Sequence, residues 1–172
     1  MPESYLSTGA KYSPQNNPYT MGFDAAVEFA PRVSKNIITK QKMISREEAI
    51  ETNASFITMD QILKKLTYRP KSSFPRIKCV CPSWDNTPRR GKTGSRIILD
   101  SSVSKFAEFY KRAIKETIAN DFPADGLLFI NAWNEWGEGT HLEPDKKHGY
   151  QLLETIKGIM EKTITRLKND KL

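Results

Sequence analysis

The segment Asn131-Ala-Trp-Asn-Glu-Trp-Gly-Glu-Gly-Thr140 carries two carboxylates three residues apart, Glu135 and Glu138, with Trp133 and Trp136 beside them. In a turn or a helical twist, residues i and i+3 bring their Cβ atoms to roughly 5–6 Å, whereas a straight strand sends them to opposite faces. Gly137 and Gly139 make such a turn accessible. Two carboxyls about 5–5.5 Å apart suit retaining glycoside chemistry, in which one is protonated while its neighbour is ionised. Mutual repulsion supplies that splitting. Tryptophan faces complement the C–H faces of sugars, and amide and carboxylate groups bond their hydroxyls. The same residues also admit a plain structural role, with Glu135 capping a helix or pairing with an arginine and both tryptophans at the core or its rim.

Two short apolar runs precede the chemically loaded residues. Arg76–Cys81 is rich in β-branched and apolar residues between Pro75 and Pro82, and Leu127–Ala132 is a continuous apolar run after Gly126. Both read as buried parallel strands. Trp84, Asp85 and Asn86 follow the first, and Trp133 through Glu138 follow the second, at the strand ends where α/β folds place their sites. Three helices are predicted. The first starts after an N-cap at Thr58, with Met59, Ile62, Leu63 and Leu66 at helical spacing, and ends before Pro70. The second is capped by Ser102 or Ser104 and runs to about Asn120, with Phe106, Phe109, Tyr110, Ala113, Ile114 and Thr117 recurring at threes and fours. The third covers about Tyr150 to Lys168.

Strand, loop, helix repeated in this way predicts an α/β fold with a parallel sheet. A closed (β/α)₈ barrel takes roughly 250 residues. The expectation is therefore a partial TIM barrel made of its C-terminal strands and helices. Residues 1–20, with three Pro and three Tyr, read as an irregular arm, and 21–168 as the partial barrel domain. Met21–Pro31 reads as a short ordered loop or a strand edge.

The 172 residues carry 27 Lys+Arg against 20 Asp+Glu, a net charge of +7, and 38% hydrophobic residues. That length supports a core without disulfides or metals, and no apolar run approaches the roughly 18 residues of a membrane span. Cys79 and Cys81 are too close in sequence for an unstrained bridge, and His141 and His148 do not lie at zinc-site spacing from them. No metal and no cofactor is expected. Met-Pro-Glu-Ser-Tyr lacks the pattern of a secretory signal, so a cytoplasmic location is the expectation. The positive charge gathers at Arg89, Arg90, Lys92 and Arg96 and along the last helix. No aromatic side chain interleaves the first cluster, which argues against nucleic acid. Solvated loop, diphosphate site and acidic-glycan site all remain open for it.

Three ordered motifs together carry a resemblance. Gly22-Phe-Asp-Ala-Ala-Val-Glu28, Pro82-Ser-Trp-Asp-Asn-Thr-Pro-Arg89, and Asn131 through Pro144 followed by Gly149-Tyr150 and an amphipathic helix resemble the C-terminal part of WbsX-like and glycoside hydrolase family 99-like domains. The resemblance implies a (β/α)₈ barrel acting on glycosidic bonds of complex polysaccharides. By matching, Glu135 assists the sugar 2-hydroxyl in attacking its own anomeric carbon, and Glu138 serves as general acid and then base. By the same matching, Trp84, Asp85, Asn134 and Trp136 become substrate contacts. Beside them, Asn86 follows the first strand with Trp84 and Asp85 and joins the substrate-binding candidates. His141, Glu143 and Tyr150 lie close enough to the acid pair in sequence to line a subsite, His141 equally admitting the role of a hydrogen-bonded loop histidine. The WbsX-like branch also implies a different reaction, glycosyl transfer in cell-surface polysaccharide (O-antigen or capsule) biosynthesis. No Asp-x-Asp, the commonest metal-bridging donor motif of such enzymes, occurs in the chain. A third reading is an inert fragment, or half of a split barrel completed by a second polypeptide.

Overall fold

The computed structural model describes residues 5–8, 17–31, 55–66, 73–91, 95–119 and 126–169. Four strands form a parallel sheet: β1 (Tyr5–Thr8), β2 (Ala25–Glu28), β4 (Arg76–Val80) and β6 (Leu128–Ile130), ordered β1-β2-β4-β6. A second parallel pair joins β3 (Ser55–Thr58) to β5 (Arg96–Leu99), and a short antiparallel hairpin joins β7 (Asn134–Glu135) to β8 (Thr140–His141). The helices are α1 (Met59–Leu66), the one-turn α2 (Thr87–Arg90), α3 (Val103–Ile118) and α4 (Gln151–Asn169).

The α/β class with parallel sheets is thus as expected from the sequence. No closed barrel is present among the described residues. The four main strands follow chain order across the sheet with no reversal, and β3 and β5 stand apart from them as a separate pair.

Within the stretch read as an irregular arm, residues 5–8 pair with β2 in the register Tyr5↔Ala25 to Thr8↔Glu28, and Pro18–Met21 form a 3₁₀ turn capped by the Asn17 side chain. β2 is a full strand, buried at all four positions. It hides in the sequence because Glu28 sits inside it. The register puts Glu28 level with Lys78, and its carboxylate meets Arg76 Nε at 2.8 Å and Lys78 Nζ at 3.3 Å. Lys78 Nζ also reaches Glu116 Oε2 of α3 at 2.6 Å, so the charges under this helix are paired where they are buried.

Each helix forms for a local reason. At α1, Thr58 Oγ1 accepts the Gln61 N–H at 3.2 Å while Gln61 Oε1 accepts the Thr58 N–H at 3.0 Å, a reciprocal capping box. At α3, Ser102 Oγ accepts the Lys105 N–H at 3.3 Å. Behind that cap, Phe106, Phe109, Tyr110 and Ala113 recur on one buried face, with Phe106 and Tyr110 stacked 6.0 Å apart. α3 packs on β4 and on α4, which contributes Leu152 and Ile159 to the same core as Ile77, Val80 and Ile57. The Leu66 side chain, Lys92, Asn120, Asp125 and Lys171 lie outside the described residues. No described helix is long and apolar enough to cross a membrane.

Candidate active site at the carboxyl ends of the strands

Parallel strands deliver their following loops to one edge of the sheet, and here three of those loops are bonded together. Asn131, one residue past β6, donates its backbone N–H to Val80 O at 2.8 Å and its side-chain amide to Ala30 O at 2.7 Å. It thereby joins the ends of β6, β4 and β2. Its own carbonyl accepts the hydroxyl of fully buried Thr140 at 2.6 Å, which closes the loop 131–140 back on its root.

Between those roots the chain makes the expected bend. Residues Trp136–Glu138 form a 3₁₀ turn with Glu135 at its N-cap and Gly139 at its C-cap, so the two acids sit one turn apart. Glu135 is exposed, and its Oε1 lies over Gly137, 3.5 Å from where a Cβ would stand. Glu138 is half-buried, and its Oε1 accepts from Arg89 Nη1 at 2.8 Å. The plain structural alternative pairs Glu135 with an arginine; the structure gives the arginine to Glu138.

The loop after β4 is stitched to this turn. Asp85 N–H donates to Glu138 O at 2.8 Å and Ser83 Oγ–H to Gly139 O at 2.5 Å. Asp85 Oδ1 in turn accepts the Thr87 N–H at 2.9 Å and so starts α2, which carries Arg89. β5 flanks the other side, where Ile98 N–H donates to Trp84 O at 2.7 Å and Arg96 N–H to Asn86 Oδ1 at 2.6 Å. The structure therefore brings Asp85, Arg89, Glu135 and Glu138 together.

Aromatic faces surround the turn. Trp133 is 53% and Trp136 49% exposed. Trp136 stacks on His141 with ring centroids 3.6 Å apart and planes 18° from parallel, and its indole N–H donates to Glu143 Oε2 at 2.6 Å. One face of Trp136 is thus covered by His141 and the ring is fixed in place. A flat apolar surface held in this way can stack against a pyranose ring. Asn134 is exposed on β7, and Tyr150 is 65% exposed just before α4, beyond the Asp145–Gly149 turn.

Two of the expected substrate contacts take inward positions. Trp84 is 5% exposed and meets Phe29 edge-on at 6.0 Å, and Asn86 is 3% exposed with its amide oxygen held by β5. Trp84 Nε1, Thr87 Oγ1 and His141 Nδ1 are buried without a hydrogen-bond partner among the described residues, and all three lie in the stitched loops. Sequence reasoning missed Asn131 as an organiser, read Gly139 as freeing the turn but not as the point of close approach to Asp85, and gave Arg89 no place at the acid pair. The available signal was their place in the motifs: Asn131 directly follows the strand, and Gly139 brackets the second acid.

Asp145 anchors the far side. It accepts the backbone N–H of His148, and its Oδ2 lies 3.0 Å from His141 Nε2 and 3.3 Å from His148 Nδ1. These bonds, the backbone one foremost, hold its carboxyl well below the ordinary 3.8. A depressed folded-state value means that the stabilisation is complete above the unfolded value of 3.8 and is lost as pH falls below it. Asp145→Asn should therefore flatten the acid limb of thermal stability between about pH 5 and 2, and an unchanged limb would refute the role. Burial pushes the Cys79 and Cys81 thiols up, so neither is a poised nucleophile. No group of three His, Cys, Asp or Glu side chains able to hold a metal occurs among the described residues.

The chain is α/β with parallel sheets and carries two acids one turn apart and two exposed tryptophans at its strand ends. The family comparison makes this specific. The model of the family described as glycosyltransferase WbsX matches residues 1–156, and the chain belongs to that family. The match starts at residue 1, so it takes in the stretch read as an arm. The chain is 36% identical over 143 residues to a protein named Uncharacterized protein WxcX from two strains of Xanthomonas campestris pv. campestris. Those residues are 82% of this chain and 20% of the relative, so the chain spans about a fifth of the length of the curated relatives it matches. No solved structure matches.

Proposed function

We propose that this chain contributes the carboxyl-edge site of a WbsX-type glycosyltransferase that acts on a cell-surface polysaccharide. The observation that carries the reading is the juxtaposition of Glu135 and Glu138 with the exposed Trp133 and Trp136 on one stitched loop pair. Trp136 and Trp133 stack on the sugar ring, Asn134, Asp85 and Glu143 bond its hydroxyls, and Tyr150 extends the surface. As the acceptor hydroxyl attacks the anomeric carbon of an activated donor, Glu138 takes its proton, the bond to the donor's leaving group breaks with the electron pair going to that group, and Glu135 faces the charge that develops at the anomeric centre. The chain-order strand sequence supports a barrel-like parent fold, with further strands supplied by the rest of the polypeptide or by a second one.

A second reading, retaining cleavage of a glycosidic bond, has one observation in its favour: the two acids are one 3₁₀ turn apart. One experiment separates the two. The chain, alone and together with a complementary barrel half, is incubated with mannose- or rhamnose-containing polysaccharide and labelled nucleotide sugars. Label incorporated into polymer supports transfer. Release of reducing ends without nucleotide sugar supports cleavage and overturns transfer, and absence of both overturns the enzymatic reading.

A further inference from the structure

Between Asn86 and Leu99 the chain carries Arg89, Arg90, Lys92 and Arg96 and no acidic residue. Among the described cations of this segment, Arg89 is the one that meets an acid of the site, Glu138. Its side chain is 62% exposed, while the Glu138 carboxylate that it meets is 15% exposed. The acid is also anchored through its backbone, because Glu138 O accepts from Asp85 N–H. One end of the ion pair is therefore fixed and the other is free to change partner. A guanidinium offers five N–H donors in a planar fork, and the contact with Glu138 uses one of them. The rest of the fork suits bidentate binding of phosphate oxygens. An ion pair with an arginine this exposed is held weakly.

We propose that Arg89 is the diphosphate-binding residue of this site, and that it exchanges Glu138 for the diphosphate of an incoming sugar-diphosphate substrate. The inference rests on the glycosyl-transfer reading and names its substrate class. Arg90 adds a second exposed cation on the same one-turn helix. When the guanidinium moves to the diphosphate, the Glu138 carboxylate is released toward the reacting hydroxyl. Binding of the substrate thereby uncovers the base.

The test is titration of the 172-residue chain, followed by tryptophan fluorescence and calorimetry, with UDP, GDP, inorganic pyrophosphate and farnesyl diphosphate, and with sulfate and a polyuronate as controls. Binding of pyrophosphate with either nucleotide assigns a nucleotide-linked source, and preference for the prenyl compound assigns a lipid-linked one. Arg89→Ala should weaken diphosphate binding about tenfold or more, with Arg89→Lys intermediate because it keeps the charge and loses the fork. Glu138→Gln should strengthen it, since the competing carboxylate is gone. A purely structural Arg89 would not give that opposite sign. Equal diphosphate affinity in wild type and Arg89→Ala, or tighter binding of polyuronate than of any diphosphate, overturns the proposal. Neutral polysaccharide binding is measured in parallel. If it persists while diphosphates fail to bind, this inference falls and the glycan reading stands. Loss of both sinks both.

Discussion

Glu138→Gln is expected to abolish glycosyl transfer while leaving polysaccharide binding measurable. The substitution keeps the size and shape of the side chain and removes its capacity to take a proton. It leaves intact the backbone bond from Asp85 N–H to Glu138 O and the 3₁₀ turn that Glu138 ends. It deletes one ion pair, with Arg89, whose exposure limits its worth to about 0–1 kcal/mol of stability. The variant should therefore fold, with the thermal transition close to wild type. Removing a positioned general acid or base typically lowers turnover by about 10²–10⁴. A small change in binding with a loss on that scale in turnover places Glu138 among the reacting groups. Full activity in the variant would refute the assignment, and equal loss of binding and turnover would make Glu138 a substrate contact. The same assay on Glu135→Gln separates the two acids. Glu135 is exposed and pairs with no cation among the described residues, so its loss changes the charge facing the sugar without releasing Arg89.

How much of this was legible in the sequence varies by element, for physical reasons. β4 and β6 announce themselves because parallel strands buried on both faces read as continuous apolar runs between Pro and Gly. α1 and α3 announce themselves by helical period and by their caps, and α4 by its amphipathic pattern. β2 is disguised by Glu28, a charge that becomes tolerable inside only when Arg76 and Lys78 arrive from a strand fifty residues away. β3 runs straight into α1, so Thr58 reads as a cap and its strand role is masked. β5 follows the basic cluster and takes its partners from β3 and from the Trp84–Asn86 segment, both distant in sequence. At the site, the bend between the two acids followed from Gly137 and Gly139, whereas the partner of Glu138 did not. Arg89 lies forty-nine residues away, and only the stitching of Asp85 to Glu138 sets it in reach.

That stitching is the target of the second large effect. Gly139→Ala is expected to unfasten the loop pair and to lower both stability and activity. Gly139 has φ +60, where an alanine costs about 1–2 kcal/mol on conformation alone. Its added Cβ would also stand 2.9 Å from Asp85 N, 2.9 Å from Asp85 O and 3.1 Å from Asp85 Cβ. Backbone atoms at that distance must move, and these are pinned by the Asp85 N–H bond to Glu138 O and by the Ser83 hydroxyl on Gly139 O. Relief of the clash therefore breaks the contacts that hold Glu138 beside Arg89. Gly149 supplies the control, since its φ is +54 and an added Cβ there meets nothing within 4 Å. Gly149→Ala carries the conformational cost without the clash. The close approach is then the difference between the two variants in denaturant unfolding, with Gly139→Ala the less stable by more than about 1 kcal/mol. Activity should fall in Gly139→Ala and persist in Gly149→Ala. Equal destabilisation of the two would mean that the loops yield freely at Gly139, and would remove the basis for a rigid link between the two motif segments.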